Sequence, residues 1–349
     1  MKNNIRYLKY RIRSQLPYTL IVTVLSALFT LSNAVSTTTD LDGNVDTYIT
    51  LFPITLIICG LSFFTPIVEL GIFKKRSDLD SLFSLPIERR SLLGIHLLSG
   101  LITNCIAITV SVLIVAIQTV GIVEPFRILI LLPYWLCAMI GGALLFGFFS
   151  FLFYEGNTSA DGIIFAIAHT SILQVFFSGI FFVLSFLNVD LSRSPDFIGH
   201  LSPFVPISWI SEYFCSVLYP VASEWDFLAW DYGISSLEFI LIPLLYAILS
   251  IAAIVAFFRW SVNKRIEKTG EISDSIFGYR SLLPMTLFTL FSVCAMATPL
   301  IVLSLIVAVG GYAIYRRSFR LKLRDWFTIG GFAVYSIIFS IILLILYHE

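Results

Sequence analysis

Charge is scarce in this sequence. Only 13% of its 349 residues are Asp, Glu, Lys or Arg, against about a quarter in a soluble domain. The 58% that are apolar, at a mean hydropathy of +0.93, exceed what a water-soluble fold of this length can enclose. A soluble enzyme is thereby excluded. The balance of 22 basic against 22 acidic residues argues against a nucleic-acid binder. Cysteine is also sparse. Cys59, Cys105, Cys137 and Cys294 lie inside apolar runs, and Cys215 stands alone in a segment read as external. Neither a disulfide framework nor a paired-cysteine metal site is present. The histidines, His96, His169, His200 and His348, lack metal-ligand spacing. There is no Gly-rich phosphate loop ending in Lys-Ser/Thr, no H-E-x-x-H and no G-x-S-x-G. The chain is therefore expected to carry no catalytic residues, no metal and no cofactor. Its basic start, "MKNNIRYLKYRIRSQ", has no small-residue cleavage site behind it and is read as retained.

What the sequence does have is long apolar runs, each near the roughly 20 residues that cross a bilayer. They cover 16–35, 48–70, 93–119, 128–153, 162–187, 235–258, a 283–315 block and 327–347. Twenty of the 22 basic residues fall in four clusters: before the first run, after the second, after the sixth and before the last. Arg127 and Arg193 are the exceptions. Basic clusters mark cytoplasmic segments, so an even number of crossings must separate consecutive clusters. The first two intervals agree. The third requires the 283–315 block to be a hairpin turning near Thr298-Pro299, with arms of about 15–17 residues. The predicted fold is an all-α polytopic membrane helix bundle of nine crossings, N-terminus inside and C-terminus outside.

Three further segments are neither span nor plain loop. Residues 1–15 place Ile5, Leu8, Ile12 and Leu16 at helical spacing among basic residues, which predicts an interfacial amphipathic helix. The alternative is a solvated basic tail. Within the inner loop 72–91, Ser77 is expected to cap a short helix with Asp78 and Asp80 in its first turn. Leu79, Leu82 and Phe83 form its apolar face, which headgroups, the protein itself or a soluble partner could cover. The outer loop 188–234 carries Phe204, Trp209, Tyr213, Phe214 and Tyr219, interrupted by prolines. That aromatic density suits short helices dipping into the outer leaflet, or an ordinary external cap. Inside the spans the polar groups are mild: Asn104, His169 and Gln174. Helix–helix hydrogen bonding is their default role, with a translocation path the alternative.

The stretch "FKKRSDLDSLFSLPIERRSLLGIHLLSG" resembles the inner loop and following helix in permeases of type-2 ATP-binding-cassette exporters. "RWSVNKRIEKTGE" after the sixth span is similar to the basic exit of the sixth helix in many of them. The resemblance covers about residues 1–275. It implies a six-helix permease core over 16–258, a cytoplasmic basic segment over 259–282 and an added membrane extension over 283–349. It also makes the helix around Ser77, Asp78, Leu79, Asp80, Leu82 and Phe83 a coupling helix seated in a separate ATP-binding subunit. Two such subunits would hold the ATP and Mg, and Leu79, Leu82 and Phe83 would supply the buried contacts. The loop "YEGNTSAD" at 154–161 would make a second contact. A second permease chain, identical or related, would complete a path lined by spans two and five with Asn104 nearby. Some similar permeases carry an outer domain after the last helix, which this sequence is read as lacking. The cargo expected by analogy is amphipathic or peptide-like, such as an antimicrobial peptide. A membrane enzyme would need clustered acid, base or metal ligands, and His169 with Gln174 is too little. A secondary transporter would show inverted repeats, and none is evident.

Overall fold

The computed structural model describes residues 2–39, 45–186, 199–218, 236–260, 270–271, 273, 275–295, 298–316 and 318–348. Seven of its helices are long and apolar enough to cross a membrane, and the protein is a multi-pass helical bundle. Its elements divide into two compact units: Met1–Tyr154 with Pro203–Thr269, and Glu155–Ser202 with Gly270–Glu349.

In the first unit, α1 is one continuous helix, Lys2–Asn33, running through Pro17. The first fifteen residues are thus an extension of the first span and not a separate element, and Ile5 and Leu16 stay about half exposed. A two-stranded antiparallel hairpin follows, β1 (Val35–Thr39) with β2 (Val45–Ile49), Val35 opposite Ile49. The sequence reading names no element between the first two apolar runs. Its β-branched runs, VSTTT and VDTYI, favour extended backbone. Helix α2 (Phe52–Leu70) starts on Pro53, whose missing N–H costs nothing there. It leads through a 3-10 turn, Gly71–Lys74, into α3 (Arg76–Phe83) and then α4 (Arg89–Thr119). After the short α5 (Pro125–Ile128) comes α6 (Leu131–Glu155). The unit is completed by α8 (Val205–Leu218) and α9 (Ser236–Trp260), while α7 (Ser159–Phe186) lies between α6 and α8 in sequence.

Side-chain pairs give the directions. Tyr7 meets His96, and Gln118 donates to the Leu31 carbonyl, so α1 and α4 run parallel. Glu69 against His96 and Thr65 against Asn104 make α2 antiparallel to α4. Ser62 donates to Gly142 near the middle of α6, and Lys74 to Tyr154 at its end, so α2 and α6 are parallel. One end of the unit therefore gathers Arg6, Lys9, Arg11, Lys74, Lys75, Arg89 and Arg90, and the other carries the hairpin. The hydrophobic effect does not hold helices together in lipid, so close packing and hydrogen bonds must. The outward side chains of α1, including Leu20, Ile21, Val24, Leu25 and Leu28, are exposed. That is a patch no soluble surface keeps.

The outer loop resolves into α8, a 14-residue helix about 21 Å long. Phe204, just before it, packs on Phe149 deep in α6, and Ile207 lies against Gly141. Ser211 bonds Thr55 at 2.6 Å and Tyr134 at 3.1 Å, both near the opposite helix ends. The helix thus runs from mid-bundle to the hairpin end, where Cys215 donates to the Ile49 carbonyl. The rest of that loop, 187–198 and 219–235, lies outside the described residues.

The second unit gathers α7 with α10 (Tyr279–Cys294), α11 (Thr298–Arg316) and α12 (Leu323–His348). In this grouping the fifth span packs with the C-terminal extension, and five of the six predicted core helices share the first unit. The reason is a matched aromatic seam. Phe165 meets Tyr279, Phe176 meets Phe288, and Thr289 donates to the Val175 carbonyl. The 283–315 block is two helices folded back on each other, with Tyr279 against Tyr315 and Leu283 against Gly311. The first of the two ends at Cys294 and the second starts at Thr298, beside the predicted Thr298-Pro299. Phe288 meets Tyr335, and Ala295 packs with Phe339 and Leu343, so α12 runs parallel to α10.

Candidate functional site

The predicted inner elbow and the polar groups beneath it are one construction within the first unit. Helix α3 begins at Arg76 after an extended Lys75, with no side-chain cap. Ser77 therefore does not cap it: its hydroxyl bonds Asp78 Oδ1 at 3.1 Å. Asp78 lies in the first turn, as expected, where a carboxylate suits the helix dipole. Leu79 and Leu82 are only 3% and 6% exposed. Their apolar face is covered by the protein itself. The Phe83 side chain lies outside the described residues. Ser77, Asp80 and Ser81 are exposed on the open face.

The elbow is tied to the end of α6. Lys74 Nζ donates to the Tyr154 carbonyl at 2.7 Å and sits over the Phe153 and Tyr154 rings. Arg89 reaches the Tyr154 hydroxyl at 2.9 Å. Above it lies a cluster the sequence reading missed. Glu69 is wholly buried, and Arg11, 13% exposed, donates through Nε and Nη2 to its Oε2 at 3.1 and 2.9 Å. His96 Nδ1 faces the Glu69 carbonyl at 3.1 Å and Oε2 at 3.4 Å, while Nε2 faces the Tyr7 hydroxyl at 3.2 Å. Both groups before Nδ1 are acceptors, which assigns the proton to Nδ1 and makes Nε2 the acceptor of the Tyr7 hydroxyl. At Gly100 a Cβ would stand 2.8 Å from the Phe146 ring and 3.1 Å from Glu69 Cγ, so only glycine lets α2, α4 and α6 close here. The signal was present in the sequence, since Glu69 is the one acid of the 48–70 run.

Asn104 continues this seam, accepting from Thr65 at 2.8 Å. Glu69 Oε1 and Asn104 Nδ2 are buried with no hydrogen-bond partner. His169 and Gln174 belong to the second unit, so the three path candidates do not share one compact unit, and neither do α2 and α7. His169 Nδ1 lies 2.8 Å from the Phe165 carbonyl, and Gln174 donates to the Gly199 carbonyl at 3.0 Å.

The 155–161 loop is mostly occupied by its own chain. Ser273 and Ser275 bond Glu155, Gly270 donates to the Asn157 carbonyl, and Tyr279 donates to Asp161. Thr158 caps α7 through the Asp161 N–H. Most of 259–269 lies outside the described residues.

Chemically this arrangement holds helices together. Among the described residues no cluster could hold a metal ion. A cavity of about 220 Å³ with almost wholly apolar walls opens between α6, α8 and α9, at Cys137, Leu144, Ile207, Pro243 and Tyr246. No family model, curated protein or solved structure matches the chain.

Proposed function

We propose that this chain is the membrane-spanning permease subunit of an ATP-driven exporter resembling the type-2 ATP-binding-cassette class. The observation that carries the reading is α3: a short helix at the basic end, apolar side inward, polar side open, fastened to α6 through Lys74 and Arg89. That is the form a coupling element needs. A partner gripping Ser77, Asp80 and Ser81 would move α2, α4 and α6 together, because the Arg11–Glu69–His96 cluster ties α1 to the same elbow. ATP and Mg reside on two separate ATP-binding subunits, and a second permease chain, identical or related, completes the assembly in the cytoplasmic membrane. The apolar cavity suits part of an amphipathic or peptide-like cargo, such as an antimicrobial peptide.

The test is ATP turnover. The tagged chain purified from its own membranes is expected to bring Mg-dependent ATP hydrolysis with it. The variant Ser77→Glu/Asp80→Lys/Ser81→Glu is expected to lose it by about tenfold or more, because reversed polarity at an interface centre costs at least that factor. These side chains are exposed, so the unfolding midpoint stays put. Equal hydrolysis from both proteins, or none from the unmodified one, overturns the reading.

The orientation is N-terminus in, C-terminus out. Ser318 is exposed in the basic connection between α11 and α12. Ser318→Cys is expected to resist membrane-impermeant thiol reagents in intact cells and to react after permeabilisation, above the background of the unmodified chain. Labelling in intact cells places that connection outside.

A further inference from the structure

The second unit carries a basic cavity that the transport reading leaves unused. Where α10 starts, α11 ends and α12 starts, a cavity of about 360 Å³ is lined by Arg280, Arg316, Lys322, Arg324 and a single acid, Asp325. Tyr279, Tyr312 and Tyr315 contribute the aromatic part of its wall. Asp325 is already engaged: Arg316 donates to both its oxygens at 3.0 Å, and the Lys322 backbone N–H adds a third bond at 3.0 Å. No carboxylate among the described residues pairs with Arg280, Lys322 or Arg324, and all three are exposed. Among the described residues the cavity therefore presents three cations with no carboxylate of their own, the one acid in its wall being paired with Arg316.

Its surroundings select the ligand. Phe319, Leu323, Trp326 and Phe327, interleaved in sequence with the lining residues, are exposed, Phe319 by 89%. Such side chains fit among acyl chains and headgroups, with Trp at the interface. An occupant must then be anionic at one end and apolar at the other. A zwitterionic lipid would bring its own ammonium, and among the described residues the one acid of the wall, Asp325, is already held by Arg316. We propose that this cavity binds the phosphate-bearing headgroup of an anionic membrane lipid, Arg280, Lys322 and Arg324 supplying its charge-assisted hydrogen bonds.

The test uses the full chain in a neutral detergent, read by thermal unfolding and by lipid retained in native mass spectrometry. Phosphatidylglycerol is expected to raise the unfolding midpoint and to be retained, and phosphatidylcholine is not. Each cation removed is expected to weaken retention about fivefold, so Arg280→Gln/Lys322→Gln/Arg324→Gln should lose roughly two orders of magnitude. Arg320→Gln, an exposed cation of the same connection outside the cavity wall, is the control and should change nothing. If the triple variant unfolds without lipid, Lys322→Gln alone carries the comparison. Equal retention of both lipids overturns the proposal. So does equal weakening by Arg320→Gln, which would mean diffuse charge. Full protection by inorganic phosphate alone would also overturn it, making the ligand a soluble anion.

Discussion

Arg11→Met is expected to destabilise the first unit by about 3–5 kcal/mol, the usual cost of leaving a buried charge without its partner. Glu69 is wholly buried, and Arg11 supplies both side-chain hydrogen bonds to its Oε2. Glu69→Met should cost less. Arg11 keeps some exposure and can turn its guanidinium towards water, whereas Glu69 has nowhere to turn. Arg11→Met/Glu69→Met should recover most of the loss, since a buried ion pair replaced by apolar groups of similar volume is often neutral. Thermal unfolding of the four proteins in detergent closes the double-mutant cycle. An Arg11→Met midpoint equal to that of the unmodified chain would show that Glu69 carries no charge needing compensation.

Gly156→Ala is expected to cost about 3 kcal/mol, near the top of the range for overpacking. A Cβ there would stand 2.4 Å from the Gly162 nitrogen and 2.7 Å from its Cα. Both atoms are backbone, so no rotamer change relieves the clash. The first turn of α7 must shift, and with it the Tyr279–Asp161 and Gly270–Asn157 bonds. Gly94→Ala is the control. Its Cβ would meet only the Phe258 ring at 3.6 Å, and alanine is the better helix former, so stability should hold or rise. Thermal unfolding separates the two, and equal midpoints would remove Gly156 from the account.

The spans were legible because length and apolarity are local properties. Seven predicted runs match full-length helices, most to within a few residues, and charge parity alone required the fold-back at 283–315. Partnership was not legible. That α7 packs with α10 depends on Phe165 meeting Tyr279, two residues more than a hundred positions apart. The elbow shows the same division. Its helix and Asp78 followed from spacing, but spacing could not say whether Leu79 and Leu82 face inward or towards another protein. Ser77 failed as a cap because Arg76 already takes helical geometry. The strands at 35–49 were not legible because each β-branched run is only five residues long.

The direction of the helices in the second unit has an electrical consequence. An alternating four-helix arrangement would cancel its peptide dipoles in pairs, but α7, α10 and α12 point one way and only α11 points back. Each amino end contributes roughly half an elementary charge, which leaves about one net positive charge where α10 and α12 begin. The backbone alone thus makes that end attract anions before any side chain is counted. Neutralising every lysine and arginine around it would leave this remainder in place, as a floor to the field.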